Sequence, residues 1–389
     1  MASKASDRAL QFTHIRLQNW RNFGRAAVDL QRRVFLVGAN ASGKSNFLDV
    51  FRFLHDLVSV GGGLQEAVRR RGGLSGVRYL SARAYSDVAI EVHIGDTENP
   101  QAWGYELSLN QDRQRRLLIK RERVVKDGEV LLNRPDKADE IDQARLTQTY
   151  LEQINANQKF REVATFFSSI RYLHIVPQLV REPERSVGKT DDPFGGDFLE
   201  QIASEREQTQ KARLKRIVNA LTVAVPLLTE LDLWRDDRGV PHLRGKYKNW
   251  REKGVWITED RLSDGTLRLM GLLWAILDGR GPLLLEEPEL SLHPEVVRLI
   301  PQMFARAQNR LGRQILISTH SRDLLSDPGI DPKEALLLQL NAEGGTSIRP
   351  ADMLENTADL LEGHLSLAEV VIPATRPPGV EKLPLFPDL

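Results

Sequence analysis

The stretch Gly38-Ala39-Asn40-Ala41-Ser42-Gly43-Lys44-Ser45 constrains the fold more than any other part of the chain. The apolar run 'RVFLVG' leads into it, and Phe47, Leu48, Phe51, Leu54 and Leu57 follow at helical spacing. A strand, a glycine-rich turn and a helix start, in that order, gather unpaired backbone N–H groups around a multiply charged anion. Gly38 and Gly43 give the backbone close approach, and Asn40, Ala41, Ser42 and Asn46 complete the cradle of a phosphate-binding loop. Lys44 supplies the point charge for the β/γ oxygens, and Ser45 a hydroxyl ligand for Mg²⁺. The full Gly-x4-Gly-Lys-Ser pattern in this strand–helix context is specific.

Such a loop needs a buried, mostly parallel sheet behind it. With 389 residues, 41% hydrophobic and 28% charged, the chain is long enough to build one. It contains no cysteine, which excludes disulfides and thiolate metal sites and suits a reducing cytoplasm. 'MASKASDRALQFTH' has no apolar h-region, and runs such as Leu272 to Leu277 are too short to span a membrane. A cytoplasmic protein without a membrane partner is expected.

Residues 11 to 38 read as two strands and a turn ending in 'RVFLVG', and 75 to 133 as a strand meander with a turn at Lys126-Asp127-Gly128-Glu129. Residues 136 to 169 read as helical and polar, 'IRYLHIVPQ' as a strand, and 197 to 221 as one charged helix. 'LDLWRDDRGVPHLRGKYKNW' reads as a hairpin. Strands 'GPLLLEE', 'QILISTH' and 'EALLLQL' then alternate with helices, the signature of a mostly parallel sheet. Four units are expected: 1–135, an N-terminal lobe with the phosphate loop and meander; 136–230, a helical insertion with a return strand near 170–178; 231–350, a C-terminal lobe; and 351–389, a helix and a Pro-rich tail.

Hydrolysis requires carboxylates as well as a phosphate cradle. In 'PLLLEEPELSLHP', Glu286 and Glu287 end an apolar strand at its carboxyl edge, where open parallel sheets bind ligands. Adjacent strand residues face opposite ways, but at a strand's end the backbone can bend to aim both inward. Glu286 is assigned to the metal shell and Glu287 to the attacking water. His320 closes another apolar strand, 'LISTH', and is placed to contact the γ-phosphate or position the water. A further helix start, 'RLSDGTLRLM', carries Ser263 as its cap and Gly265 inside the first turn, where a glycine is costly if a helix is all that is wanted.

Five elements in order, 'IRLQNWRNFGRAAVDL', 'GANASGKSN', 'LSDGT', 'LLLEEPELSLHP' and 'STHS', resemble the ABC-type ATPases of the SMC and RecF branch, and most nearly the OLD-like bacterial ATPases. They bracket residues 12 to 321. The resemblance implies an α/β P-loop NTPase with an ABC-type head, a mixed central sheet plus an antiparallel β subdomain, and a short helical insertion. It implies ATP and Mg²⁺ as cofactors, Lys44, Glu287 and His320 as catalytic residues, and a homodimer in which Ser263 and Gly265 serve the ATP of the other copy. A Q-loop glutamine should ligate the metal beside Ser45 and Glu286, and Gln178 is the candidate; Arg181 nearby is an alternative phosphate contact. The chain departs from the pattern in carrying Glu286 where Asp is common and Asp264 where transporters have Gly. It lacks a long heptad run, and with about 50 residues after the last strand a Toprim nuclease domain is not expected in it. Any effector is expected as a separate chain.

Two basic stretches raise the question of nucleic acid. Arg113, Arg115, Arg116, Lys120, Arg121, Arg123 and Lys126 lie on one hairpin, while Lys246, Tyr247, Lys248, Trp250, Arg251 and Lys253 interleave bases with aromatics. Glu106, Glu122 and Glu129 and a net charge of +1 balance them, so charge alone leaves the matter open. The resemblance favours DNA, in anti-phage defence or DNA repair. A slow ATP-gated scaffold that sequesters a protein effector or toxin stays open, with Leu383, Leu385 and Phe386 of the tail as a docking peptide. A transporter ATPase is disfavoured by the N-terminal strand pair.

Overall fold

The computed structural model describes residues 9–82, 86–186, 192, 194–249, 254–341, 344–377 and 380. Trp250, Arg251, Lys253, Leu383, Leu385 and Phe386 lie outside the described residues. Strands β1 (Gln11–Trp20) and β2 (Phe23–Asp29) form a hairpin, and β3 (Arg33–Gly38) leads to helix α1 (Lys44–Val58). The meander follows as β4 (Val88–Gly95), β5 (Trp103–Gln111), β6 (Leu117–Lys126) and β7 (Glu129–Arg134). Its last turn takes Asp127 and Gly128 into the left-handed region, φ 47° and 85°, as a tight hairpin turn requires.

After helix α2 (Arg161–Ser168) come β8 (Arg171–Leu173), helix α3 (Glu207–Ala224), and three strands, β9 (Leu228–Arg235), β10 (Pro241–Tyr247) and β11 (Val255–Thr258). Helix α4 (Asp264–Leu277), β12 (Leu283–Glu286), helix α5 (Ile300–Leu311), β13 (Ile315–Thr319), β14 (Ala335–Leu340) and β15 (Thr346–Pro350) complete the C-terminal part, followed by α6 (Leu367–Ala374).

Three sheets result. β2-β1-β4-β5-β6-β7 is antiparallel, β11-β10-β9 is a small antiparallel sheet, and β15-β14-β3-β13-β12-β8 is the central sheet. In the last, every pairing from β14 to β8 is parallel and only the edge strand β15 runs the other way. Side chains alternate across it. Val34, Leu36, Leu284, Leu316, Leu336 and Leu338 enter the core shared with α1, α2 and the meander. Phe35, Val37, Leu283, Leu285, Ile317 and Leu337 enter a second core with α4 and α5. Burial on both faces explains why these strands read as unbroken apolar runs. Phe12 of β1 fastens the antiparallel sheet to the helices, its ring centroid 4.7 Å from Phe51 and 4.9 Å from Phe166.

Two expectations about the insertion need correction. Residues 136–169 are not one helical stretch: only Lys137–Ile141 and α2 are α-helical, with 3₁₀ turns between. The break follows the buried Arg134, which draws the Arg145 and Gln148 carbonyls onto its guanidinium and bends that chain against the sheet. The charged helix is two, Phe198–Ser204 and α3, split at Glu205, whose extended backbone (φ −72°, ψ 151°) cannot continue a helix.

Candidate active site

The carboxyl ends of β3, β12 and β13, neighbours in the sheet, bring the motifs together. The loop after β3 is shaped by sterics. A Cβ on Gly38 would lie 2.3 Å from Ser42 Oγ, and one on Gly43, at φ 99°, would lie 1.9 Å from Asn22 Nδ2. Asn40 and Ala41 are exposed at the tip, whereas Ser42, Gly43 and Lys44 are buried. Lys44 Nζ donates to the carbonyls of Gly38 (2.8 Å) and Ala39 (3.1 Å). Burial lowers the Lys44 pKa, and the charges of Glu287, Glu286 and Glu289 oppose the fall. Ser42 Oγ is buried without a partner among the described residues.

Three residues the motif does not contain hold this loop and the helix start after it. Asn22, in the β1–β2 turn, donates to the Ser42 carbonyl (3.2 Å) and to Thr346 Oγ1, and accepts from Asn46 Nδ2 (2.8 Å). Thr346, opening β15, donates to the same Ser42 carbonyl at 2.8 Å, and Trp20 Nε1 donates to the Asn46 carbonyl at 3.0 Å. The 'NWRNF' turn was the available signal for Asn22; nothing near Thr346 in sequence marks it.

Ser45 Oγ donates to Glu286 Oε1, and Tyr172 Oη, at the return strand β8, donates to Glu286 Oε2. Burial and then Glu286 push the Tyr172 phenol far up, so it stays a donor. Arg52 lies over the Tyr172 ring, 4.3 Å from its centroid. His174 Nδ1 comes within 3.3 Å of the Glu286 carbonyl. Gln178, by contrast, is exposed on the short helix Pro177–Val180, and the side chains that reach Glu286 from this segment are Tyr172 and His174.

The bend needed between the two carboxylates is present: Glu287 has φ 43° and leaves the strand in the left-handed region. A non-glycine residue held there stores strain, a pattern concentrated at functional sites. Its N–H donates to the Ser318 carbonyl (3.0 Å), and its Oε1 lies 3.1 Å from His320 Nδ1.

A hydroxyl and a carboxylate at one point, beside a buried lysine on the phosphate loop, suit a hard divalent cation and a triphosphate. No group of three or more His, Cys, Asp or Glu side chains forms a metal cage among the described residues. Mg²⁺ needs only one or two protein oxygens plus phosphate and water, and the Ser45 hydroxyl with the Glu286 carboxylate offers these. Bound there by Ser45 and Glu286, it would supply charge neutralisation for the phosphate oxygens.

Ser263 is the exposed cap of α4; its Oγ accepts from Thr266 N–H (3.2 Å) and pairs with Thr266 Oγ1 (2.7 Å). Gly265 has a reason within the chain itself, because a Cβ there would lie 2.6 Å from the Ser291 carbonyl. The segment after the acidic pair thus rests on the start of α4, with Ser291 at φ 62°. Arg181 is engaged at this helix, donating to Asp264 Oδ1 (2.5 Å) and the Leu262 carbonyl (2.7 Å).

A phosphate loop between β3 and α1, an acidic pair after β12 and a histidine after β13 define a P-loop NTPase with an ABC-type head. The chain belongs to the family described as "AAA domain, putative AbiEii toxin, Type IV TA system", whose profile matches residues 33–327. No curated protein sequence matches it. Among solved structures it is similar to an Smc head bound to the C-winged helix domain of ScpA, with TM-score 0.54, 10% identity, and 90% of this chain and 99% of that one covered. It is also similar to the Smc head with a coiled coil and joint from Pyrococcus yayanosii (TM-score 0.51, 10% identity, 92% and 100% covered). The Smc head bound to the C-terminal domain of ScpA, from Pyrococcus furiosus, scores likewise (0.51, 12% identity, 92% and 100% covered). At these identities the likeness concerns the fold. No helix among the described residues is long and apolar enough to cross a membrane.

Proposed function

We propose that this protein is a Mg²⁺-dependent ATPase, converting ATP to ADP and phosphate in a homodimer that encloses two nucleotides. The observation that carries the reading is the paired geometry at the sheet edge: Ser45 on Glu286 for the metal, and Glu287 on His320 for the water. Glu287 orients the attacking water and accepts its proton. His320 holds Glu287 and faces the γ-phosphoryl group that the water attacks, ADP being the leaving group. Lys44 meets the negative charge that develops on the phosphate oxygens. The exposed Ser263 at the start of α4 offers a second copy a helix N-terminus for its bound triphosphate. Head-to-tail apposition of two such surfaces around a two-fold axis gives both sites at once.

The ATPase is read as coupled to DNA, in anti-phage defence or repair with a separately encoded effector, in the OLD-like manner. The toxin–antitoxin wording of the family description supports a defence setting. For DNA contact, the support narrows to a few side chains. Arg116 pairs with Asp112, Arg121 with Glu106, Lys126 with Glu162 and Lys246 with Glu230. Arg113, Arg115 and Lys120 are exposed without an ion pair among the described residues, and would take the phosphates. The ion pairs of Arg116, Arg121, Lys126 and Lys246 favour a second reading, an ATP-gated scaffold for a protein effector.

Steady-state ATP turnover with and without double-stranded DNA, at two salt concentrations, separates the two. DNA stimulation that fades with salt supports the coupled ATPase. Turnover indifferent to DNA supports the scaffold, and no Mg²⁺-dependent turnover would overturn the ATPase reading.

A further inference from the structure

Glu289 follows the acidic pair by two residues and, beyond its charge acting on Lys44, makes none of the phosphate-loop, metal or water contacts described above. It is 7% exposed, in a position where a carboxylate is costly to bury. Its Oε1 accepts from Thr319 Oγ1 at 2.5 Å, and its Oε2 is buried without a partner among the described residues. Thr319 is fully buried, and its hydroxyl oxygen also accepts from the Ser321 N–H at 3.0 Å. The residue enclosed by that bond is His320. On the other side, the Glu287 carbonyl accepts from Leu290 N–H (3.2 Å) and the Glu289 carbonyl from Leu292 N–H (3.1 Å), so Glu287 and Glu289 belong to one compact turn. Two loops leaving neighbouring strands are thus tied by one side-chain hydrogen bond, beside the contact between His320 and Glu287.

We propose that Glu289 is a positioning residue for hydrolysis: by holding the Thr319 hydroxyl it fixes the Thr319–Ser321 turn and so keeps His320 on Glu287. A small displacement of an orienting group is enough to cost a large part of a catalytic rate, which is a reason to retain a buried acid here. Burial raises the Glu289 pKa, and the Thr319 bond opposes the rise. The inference rests on the hydrolytic roles given to Glu287 and His320.

The test measures kcat and KM for ATP, with Mg²⁺, in full-length Glu289→Ala, Glu289→Gln, Thr319→Val and Thr319→Ser, with thermal melts on each. Glu289→Ala and Thr319→Val should each lower kcat by roughly 10- to 100-fold with KM little changed. Glu289→Gln keeps the acceptor and Thr319→Ser the hydroxyl, and both should recover most of the rate. In a His320→Ala background, Glu289→Ala should cost almost nothing further. The inference is overturned if Glu289→Ala turns over like the wild type, if its effect persists undiminished without His320, or if KM carries the loss. Should Glu289→Ala fail to fold, the Thr319 pair decides in the same way. Absence of turnover in the wild type would instead remove the ATPase reading, and this inference with it.

Discussion

Glu287 is the residue on which the proposed chemistry turns, because its left-handed backbone is what lets two consecutive carboxylates work on one side of the sheet. Glu287→Gln keeps the shape and loses the proton acceptor. Turnover should fall by about 10²- to 10⁴-fold while ATP binding persists, trapping an ATP-bound dimer visible by size exclusion. Unchanged turnover would reassign the residue. Tyr172→Phe removes a donor to Glu286, and metal affinity should drop by roughly tenfold or more, read as a higher Mg²⁺ requirement for turnover. Gly265→Ala forces a methyl toward the Ser291 carbonyl, so it should impair hydrolysis more than ATP binding at the same chain's Lys44. Legibility at this scale followed distance along the chain. Lys44, Ser45, Glu286, Glu287 and His320 lie in short runs whose apolar strands announce them. Asn22, Thr346 and Tyr172 act across the fold, Asn22 and Thr346 being 324 positions apart, and no local pattern encodes such a meeting. Glu289 stood inside a quoted motif, yet its bond to Thr319 depends on β12 and β13 being adjacent.

Among the elements, the central strands were readable because burial on both faces leaves them as uninterrupted Val, Leu and Ile. The insertion after β7 was not, because polar side chains decide its path. Arg134, fully buried, donates to Glu122 (3.0 Å) and Asp139 (2.8 Å) and stacks 3.8 Å from the Tyr150 centroid. In sequence these residues look like a solvated charge pattern. Removing one partner strands buried charges of the other sign, so Arg134→Ala should destabilise the fold by about 3–5 kcal/mol in denaturant titration. Burial raises the Asp139 pKa, but the Arg134 bond overrides it and holds the carboxyl at about 2. Its folded pKa is below its unfolded value near 4, so its contribution is present above about pH 4 and is lost as pH falls toward 2. Asp139→Asn should therefore flatten the stability curve across that interval, which acid titration of both proteins would show.

For the molecule as a whole, the proposal is that one chain does not hold a complete site. The phosphate loop, Glu286, Glu287 and His320 converge at one sheet edge, while Ser263 caps α4 at an exposed surface with its hydroxyl on Thr266. The most direct measurement mixes two variants that should each be inactive: Ser263→Arg, which blocks the helix start, and Lys44→Ala, which empties the phosphate cradle of its charge. In the mixed dimer the intact loop of one chain meets the intact Ser263 of the other. Equimolar mixing should restore ATP turnover to about a quarter of the wild-type rate, the share expected for random pairing with one working site per mixed dimer. A mixture as inactive as its components, with mixed dimers confirmed, would contradict the shared site.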